Sequence, residues 1–318
     1  MKRVAAFDCG TNSLRLLIAD VDAVSGSLVD VDRQMEVVRL GEGVDATGML
    51  SNEAMRRAFE VTRRYAIRCA DAGVEAIRFV ATSASRDAVN AGEFTTGIQA
   101  ILGVRPEVIS GVEEARLSFE GATSGLADRL NAGPVCVVDL GGGSTEIVVA
   151  SPADLAGTLA AHSMNVGCVR MTERHLHSDP PTPDQVAAAS IDIDRALNEV
   201  EKEVPIRIAT SLVGVAGTVT TVTAHALGLR HYQPELIHGT ALSVPQTQRV
   251  CQDLLWMPRE ARAALGFMHP GRVDVIGSGA LVWSRVVRRM SCTAGISEVI
   301  TSEHDILDGI ALALGRGD

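Results

Sequence analysis

Apolar residues open the chain in three short runs, RVAAFD (3–8), LRLLIADV (14–21) and SLVDVDRQMEVVRL (27–40), which the pattern predicts as three strands joined by turns. A helical stretch over 51–72, a strand AIRFVAT (76–82), a helix over 93–102, a short strand PEVI (106–109) and a helix over 113–123 follow. The order βββαβαβα points to one α/β layer domain ending near residue 120. After the turn-rich LNAGP (130–134) the pattern restarts with VCVVD (135–139), TEIVVA (145–150) and GTLAAHSM (157–164), again read as three strands and then helices. The best-marked helix runs over 183–204: Thr182 caps it, Pro183 takes its first turn and Gln185 completes a capping box.

The restart is a repeat in register. Laid over one another, FDCGTNSLRLLIA (7–19) and VDLGGGSTEIVVA (138–150) match Asp8 with Asp139, Gly10 with Gly141 and Ser13 with Ser144, then three aliphatics and an alanine. Two related half-domains are therefore expected. Glycines between two strands permit a tight turn and remove the Cβ atoms that would keep a ligand away. The N–H groups so exposed form an anion-binding nest, with the hydroxyls of Ser13, Ser144 and Thr145 as added donors. Asp139 and Glu146 flank the second nest, and carboxylates beside a phosphate repel it unless they bind or orient a divalent metal. A third loop lies in SLVGVAGTVTTVTAHAL (211–227), where an apolar strand runs through Gly214, Gly217 and Thr218 directly into a helix.

Composition narrows the class. At 318 residues the chain has room for about two domains with substantial cores, and 46% hydrophobic content with 3% aromatics suits an aliphatic α/β interior. Asp8 cuts the first apolar run short, so neither a secretory signal nor a membrane span is expected, and the reading is a soluble cytoplasmic protein. The six cysteines are scattered without zinc spacing, which fits reduced, mostly buried thiols, and His175 with His177 is the single close histidine spacing. Net charge is −10 and no basic run exceeds a solvated helix face such as Arg56, Arg57, Arg63 and Arg64, which argues against nucleic acid as a partner. A polyanionic ligand must then be held by local donors and a metal.

The segments AAFDCGTNSLRLLI, RLGEG (39–43), ATSASRDAVN (81–90), VISGVEEARLSFEGA (108–122), VVDLGGGSTEIV, NVGCVRMTE (165–173) and GVAGT (214–218) together resemble the exopolyphosphatase and guanosine pentaphosphate phosphatase family. That family belongs to the actin-like ATPase and sugar-kinase superfamily. The resemblance implies two ribonuclease-H-like domains around a cleft, residues 1–120 plus 303–318 forming one and 121–302 the other, with the helix over 113–123 crossing between them and the C-terminal helix returning to the first. It also implies release of terminal phosphate from polyphosphate or pppGpp with Mg2+ or another divalent cation. Glu114, Asp139 and Glu146 match the catalytic positions, and Asp139, Glu146 and Asp8 are the expected metal ligands. Asn12, Ser13, Arg39, Ser83 and Arg86 fall where relatives line the phosphate channel, and Gly141, Gly142, Gly143, Ser144, Thr145, Gly217 and Thr218 match the donor loops. Two departures stand out: many relatives continue into an HD-type helical domain where this chain stops, and the closing motif, commonly G-L-R-E-G, reads DILDG (305–309).

Phosphoryl transfer to water is governed by positioning and charge stabilisation. The expected parts are a divalent cation at Asp139 and Glu146, Arg39 and Arg86 on the phosphate chain, and Glu114 aligning the water. Short polyphosphate is the leading substrate and pppGpp the second. The competing classes are an ATP-dependent small-molecule kinase, for which no acceptor-binding base is evident, and a nucleotide sensor that binds without turnover. No membrane partner is expected, and the reading leaves room for a homodimer. Within VISGVEEA, Ser110 and Glu113 fit a capping box, which leaves Glu114, about 100° further round the helix, for chemistry. One reading of Arg15, left open beside others, packs its stem along the first hairpin with its head toward water.

Overall fold

The computed structural model describes residues 1–22 and 26–317. The chain divides into two compact units, Met1–Gly121 with Asp305–Asp318, and Ala122–His304. The first unit holds strands β1 (Lys2–Cys9), β2 (Ser13–Val21), β3 (Leu28–Val37), β4 (Ala76–Ala81) and β5 (Glu107–Val108) in the sheet order β3-β2-β1-β4-β5. The first three strands run antiparallel, and β4 and β5 add in parallel beside β1. The turn expected between β2 and β3 includes residues 23–25, outside the described residues.

The second unit repeats the plan. Its strands β6 (Val135–Leu140), β7 (Thr145–Ala150), β8 (Ala160–Met164), β9 (Ser211–Val215), β10 (Ala241–Ser243) and β11 (Glu298–Thr301) order as β10-β11-β9-β6-β7-β8. Again three antiparallel strands are followed by parallel ones, and β10 is an antiparallel addition at the edge. This is the ribonuclease-H-like arrangement in both units, and the fold class is α/β as expected. One segment differs from its reading as a single strand: 157–164 begins in the short helix Leu155–Thr158 and only then enters β8. There Thr158 turns its hydroxyl onto the Asp154 carbonyl and accepts from Ser151 N–H (2.8 Å), a local closure that competes with extension.

Alternation along β1 places Ala5, Phe7 and Cys9 in a core with helix Asn52–Asp71, and Val4 and Ala6 in a core with the C-terminal helix Ile306–Arg316. Ser51 caps the first of these helices by accepting from Ala54 N–H (3.1 Å), a bond worth about 1 kcal/mol. The reading of 183–204 is matched by helix Pro183–Glu203, with both halves of the Thr182–Gln185 capping box formed. The DILDG motif starts the C-terminal helix: Asp305 Oδ1 accepts from Leu307 N–H (3.1 Å) and Asp308 Oδ2 from Asp305 N–H (2.9 Å). Two arginines, Arg15 of β2 and Arg33 of β3, meet these buried acids. Arg15 pairs with Asp305, and Arg33 Nη2 lies 2.5 Å from Asp308 Oδ1.

Among the described residues no helix is long and apolar enough to cross a membrane. All six cysteines are free, and Cys292 alone among them is exposed.

Candidate active site

In each unit the turn that follows the first strand is closed the same way, by Gly10 N–H to Ser13 O (3.0 Å) and by Gly141 N–H to Ser144 O (3.0 Å). Both turns sit at the carboxyl ends of parallel strands, where open α/β sheets bind ligands. Segments that leave neighbouring strands build outward from them.

In the second unit all four carbonyls of the turn Gly141–Ser144 are occupied. Cys168 N–H donates to Gly141 O (3.0 Å), Val169 and Arg170 N–H to Gly142 O (2.8 and 3.1 Å), and Arg170 Nε to Gly143 O (2.7 Å), while Ser144 O closes the turn. The N–H groups of Gly142, Gly143 and Ser144 make no hydrogen bond among the described residues. A turn whose carbonyls all point one way leaves its donors pointing the other, which is an anion nest. The approach of residues 167–170 depends on Gly167, where a Cβ would stand 2.4 Å from Gly142 O.

Asp139 and Glu146 face each other across the β6–β7 ladder. Cys136, Val138 and Leu140 point into the main core of the second unit, so Asp139 projects from the other face, and Glu146 as its direct partner projects with it. Both are buried, at 7% and 1% exposure, and Glu146 Oε1 accepts from Ser163 Oγ (2.6 Å). Thr145, expected as a ligand donor, spends its hydroxyl on Val166 O (2.6 Å) and so ties β7 to the segment after β8. Beyond β9, Ala216 takes φ 70° at the start of helix Ala216–Ala226, a left-handed conformation that is costly for alanine. Gly217 follows it, and Thr218 is buried in the same first turn. Arg272 donates from Nη1 to Gly217 O (3.3 Å).

The first unit sets Arg39 and Ser83 beside the turn 10–13. Gly41 N–H donates to Thr11 O (2.8 Å), and Val38 and Arg39 N–H to Asn12 O (3.0 and 2.8 Å). Gly41 permits this contact, since a Cβ there would lie 2.3 Å from Thr11 Cγ2. Arg39 is exposed and holds φ 48°, again a left-handed non-glycine residue beside a candidate site. Ser83, two residues past β4 at the start of helix Ser83–Asp87, shares a hydrogen bond with Thr11 (2.8 Å). Arg86 and Glu114 come together: Arg86 Nη1 is 2.5 Å from Glu114 Oε2 and 3.2 Å from Ile109 O.

Two readings change at this point. Arg15 does not simply reach to water. Its Nη2 and Nε both donate to Asp8 Oδ2 (2.6 and 2.9 Å), and its Nη1 pairs with Asp305. Burial pushes the Asp8 carboxyl above its ordinary value, with Arg15 opposing the shift. The Ser110 capping box is half present, with Glu113 N–H on Ser110 Oγ (3.2 Å), but both Glu113 oxygens are on Arg116 (2.8 and 2.9 Å). Arg170 and Arg272 are the residues that sequence reasoning passed over. The available signal was that NVGCV sets a glycine after β8 as RLGEG sets one after β3. His175 is bound to Asp192 (3.1 Å), and among the described residues no three His, Cys, Asp or Glu side chains gather as a metal cage.

The pattern of the Ppx/GppA phosphatase family matches residues 17–314. The chain is 47% identical to Exopolyphosphatase 2 of Mycobacterium tuberculosis over 321 residues, covering 99% of each sequence. A crystal structure of an exopolyphosphatase-like protein superposes with a TM-score of 0.94 at 46% identity, covering 99% of this chain and 98% of that one. A Ppx/GppA family member from Aquifex aeolicus gives 0.79 at 28% identity, over 98% and 97%. A match over nearly the whole chain, on a duplicated ribonuclease-H-like fold with paired glycine turns, decides the family: the chain belongs to the Ppx/GppA phosphatases.

Proposed function

We propose that this protein hydrolyses the terminal phosphoanhydride of inorganic polyphosphate. Family membership and the relative named Exopolyphosphatase 2 support the reaction class. The observation that carries the residue assignment is the turn Gly141–Ser144, with four carbonyls tied back and three N–H groups left for an anion beside two buried carboxylates.

Asp139 and Glu146 fit a magnesium ion by donor chemistry. Magnesium takes oxygen ligands and commonly uses one or two carboxylates, completing its shell with waters and substrate phosphate. Two buried acids directly opposite on neighbouring strands repel each other, and a dication held by both would relieve that repulsion. When bound it would neutralise charge on phosphate oxygens. Ser163 Oγ orients Glu146 for that task. Asp8, the third expected ligand, already has Oδ2 on Arg15, so the proposed metal set narrows to Asp139 and Glu146.

The remaining roles are assigned to the chain's own groups. The N–H groups of Gly142, Gly143 and Ser144 hold phosphate oxygens in a fixed geometry, which costs no reorganisation during reaction. Glu114, steadied by Arg86, orients the attacking water, and the exposed Arg39 offers a cation to the phosphate chain. Ser83 and Thr11 fix the first turn for a second set of donors, the N–H groups of Thr11 and Asn12.

Orthophosphate release measured side by side on short polyphosphate, long polyphosphate, pppGpp and ATP tests the reading. Polyphosphate should be turned over, with EDTA stopping release and added Mg2+ restoring it. Turnover of pppGpp alone would reassign the substrate. No turnover of any, with tight ppGpp binding, would replace the enzyme by a sensor.

A further inference from the structure

The three donors of the Gly141–Ser144 nest are not held in the same way. A peptide unit is planar, so fixing a carbonyl fixes the N–H of the next residue on the opposite side. Gly141 O is held by Cys168 N–H, which orients Gly142 N–H, and Gly142 O is held by Val169 and Arg170 N–H, which orients Gly143 N–H. Both anchors are backbone groups. The third peptide, whose N–H belongs to Ser144, is anchored at Gly143 O by a side chain, Arg170 Nε at 2.7 Å. Gly143 has no Cβ to oppose rotation of that peptide. Turned over, it would present a carbonyl oxygen to a bound phosphate where Ser144 N–H should stand.

We propose that Arg170 is a positioning residue for phosphoryl transfer, acting through the Gly143–Ser144 peptide. This inference rests on the nest reading above. Arg170 is 9% exposed, lies in the first turn of helix Cys168–Arg174 and uses its main-chain N–H on the same loop, so its guanidinium is delivered to Gly143 O by the helix that braces the rest of the turn. Through Gly143 O the residue acts on the loop, and through the loop on substrate.

The test compares Arg170→Met, which keeps length and apolar stem but has no donor, with Arg170→Lys, which keeps charge and donors at a different reach. In amide NMR of the wild type, orthophosphate should shift the Gly142, Gly143 and Ser144 signals together. In Arg170→Met the Ser144 response should be lost while Gly142 and Gly143 still respond, a split that general loosening of the fold would not produce. Turnover should fall about 100-fold, the scale for displacing one catalytic donor by an ångström or so. Arg170→Lys should recover part of both the signal and the rate. An Arg170→Met protein with turnover within about threefold of wild type, or with an unchanged Ser144 response, overturns the proposal. Should Arg170→Met not fold, Arg170→Lys decides: an unchanged Ser144 response with a large loss of rate also overturns it. Wild-type protein that releases no phosphate would sink the proposed activity alone, because the orthophosphate titration reads the brace without turnover.

Discussion

In the first unit Asp8 of β1 faces Arg15 of β2, and at the equivalent rung of the second unit Asp139 of β6 faces Glu146 of β7. The turns between them share one closing hydrogen bond and a brace delivered after the third strand, by residues 38–41 in one case and 168–170 in the other. Scaffold was kept while charge diverged. In the first unit the acid is neutralised within the fold, because Arg15 reaches both Asp8 and the cap of the C-terminal helix, Asp305. In the second, two acids stand opposite one another at almost full burial, with Ser163 Oγ donating to Glu146 Oε1. On the proposed reading the cation belongs to the second unit, while the first carries the ion network of Arg15, Asp8 and Asp305.

The largest effect expected is on Asp139. Asp139→Ala should lower magnesium-dependent phosphate release about 1,000-fold or more, the range for losing several kcal/mol of charge stabilisation. Its melting temperature should stay close to wild type, because a carboxylate beside the glycine turn adds little apolar packing. Near-normal turnover with magnesium would remove the metal assignment, and a large loss of stability would make Asp139 a structural acid like Asp8.

Arg15→Met probes the other side of the comparison. It strips a shared partner from two buried acids and should cost about 3 kcal/mol in urea unfolding near neutral pH, the low end for breaking a buried ion pair because the Arg15 side chain is 19% exposed. Without the arginine, burial raises the Asp8 carboxyl further above its ordinary value, and Asp305 loses the largest of the charges that hold it low. Stability carried by a raised acid is present below its unfolded pKa and lost as pH rises through the folded one, so the deficit should shrink as the medium is acidified. A deficit below about 1 kcal/mol, or one that grows in acid, would deny the network its role.

Glu114 sharpens the contrast, because it too is an acid of the first unit held by an arginine. Glu114→Gln can still accept from Arg86 and should melt close to wild type, yet lose about 100-fold in turnover as expected for a missing general base. A fully active variant would place Glu114 with Asp8 among the structural pairs.

The repeat was legible because a glycine turn and a flanking acid occupy fixed places in a strand–turn–strand unit, and that local grammar also exposed the nests. The pairings were not. Arg15 lies far along the chain from Asp305, and nothing near residue 15 announces a helix cap at the other end of the sequence. Thr145 read as a ligand donor because hydroxyls beside glycines usually are exposed, while its strand position buries it against Val166. Arg170 sits in a segment whose likeness to family was visible, but its target is a carbonyl brought close only by Gly167 and the return of β8. Long-range partners decided each of these, and periodicity does not carry them.

The smallest effect separates neighbours. Glu113 adjoins Glu114 in sequence, yet its carboxylate lies along the helix on Arg116, with Arg78 Nη2 at 3.6 Å from Oε1. The Arg116 hydrogen bonds hold its pKa below the ordinary glutamate value. A depressed acid contributes stability above its unfolded pKa and loses it as pH falls through the folded one. The side chain is 32% exposed and the pair is a solvent-screened i,i+3 bridge, so Glu113→Gln should cost at most about 0.5 kcal/mol near neutral pH and nothing in acid. The Ser110 cap survives, because Ser110 Oγ accepts from the Glu113 main-chain N–H, which the substitution leaves in place. Turnover should stay at the wild-type level. Urea unfolding at neutral and acidic pH, with phosphate release on the same samples, decides between the two glutamates: a loss of turnover in Glu113→Gln equal to that in Glu114→Gln would mean that the first turn of this helix acts as a unit and that no single carboxylate on it is the base.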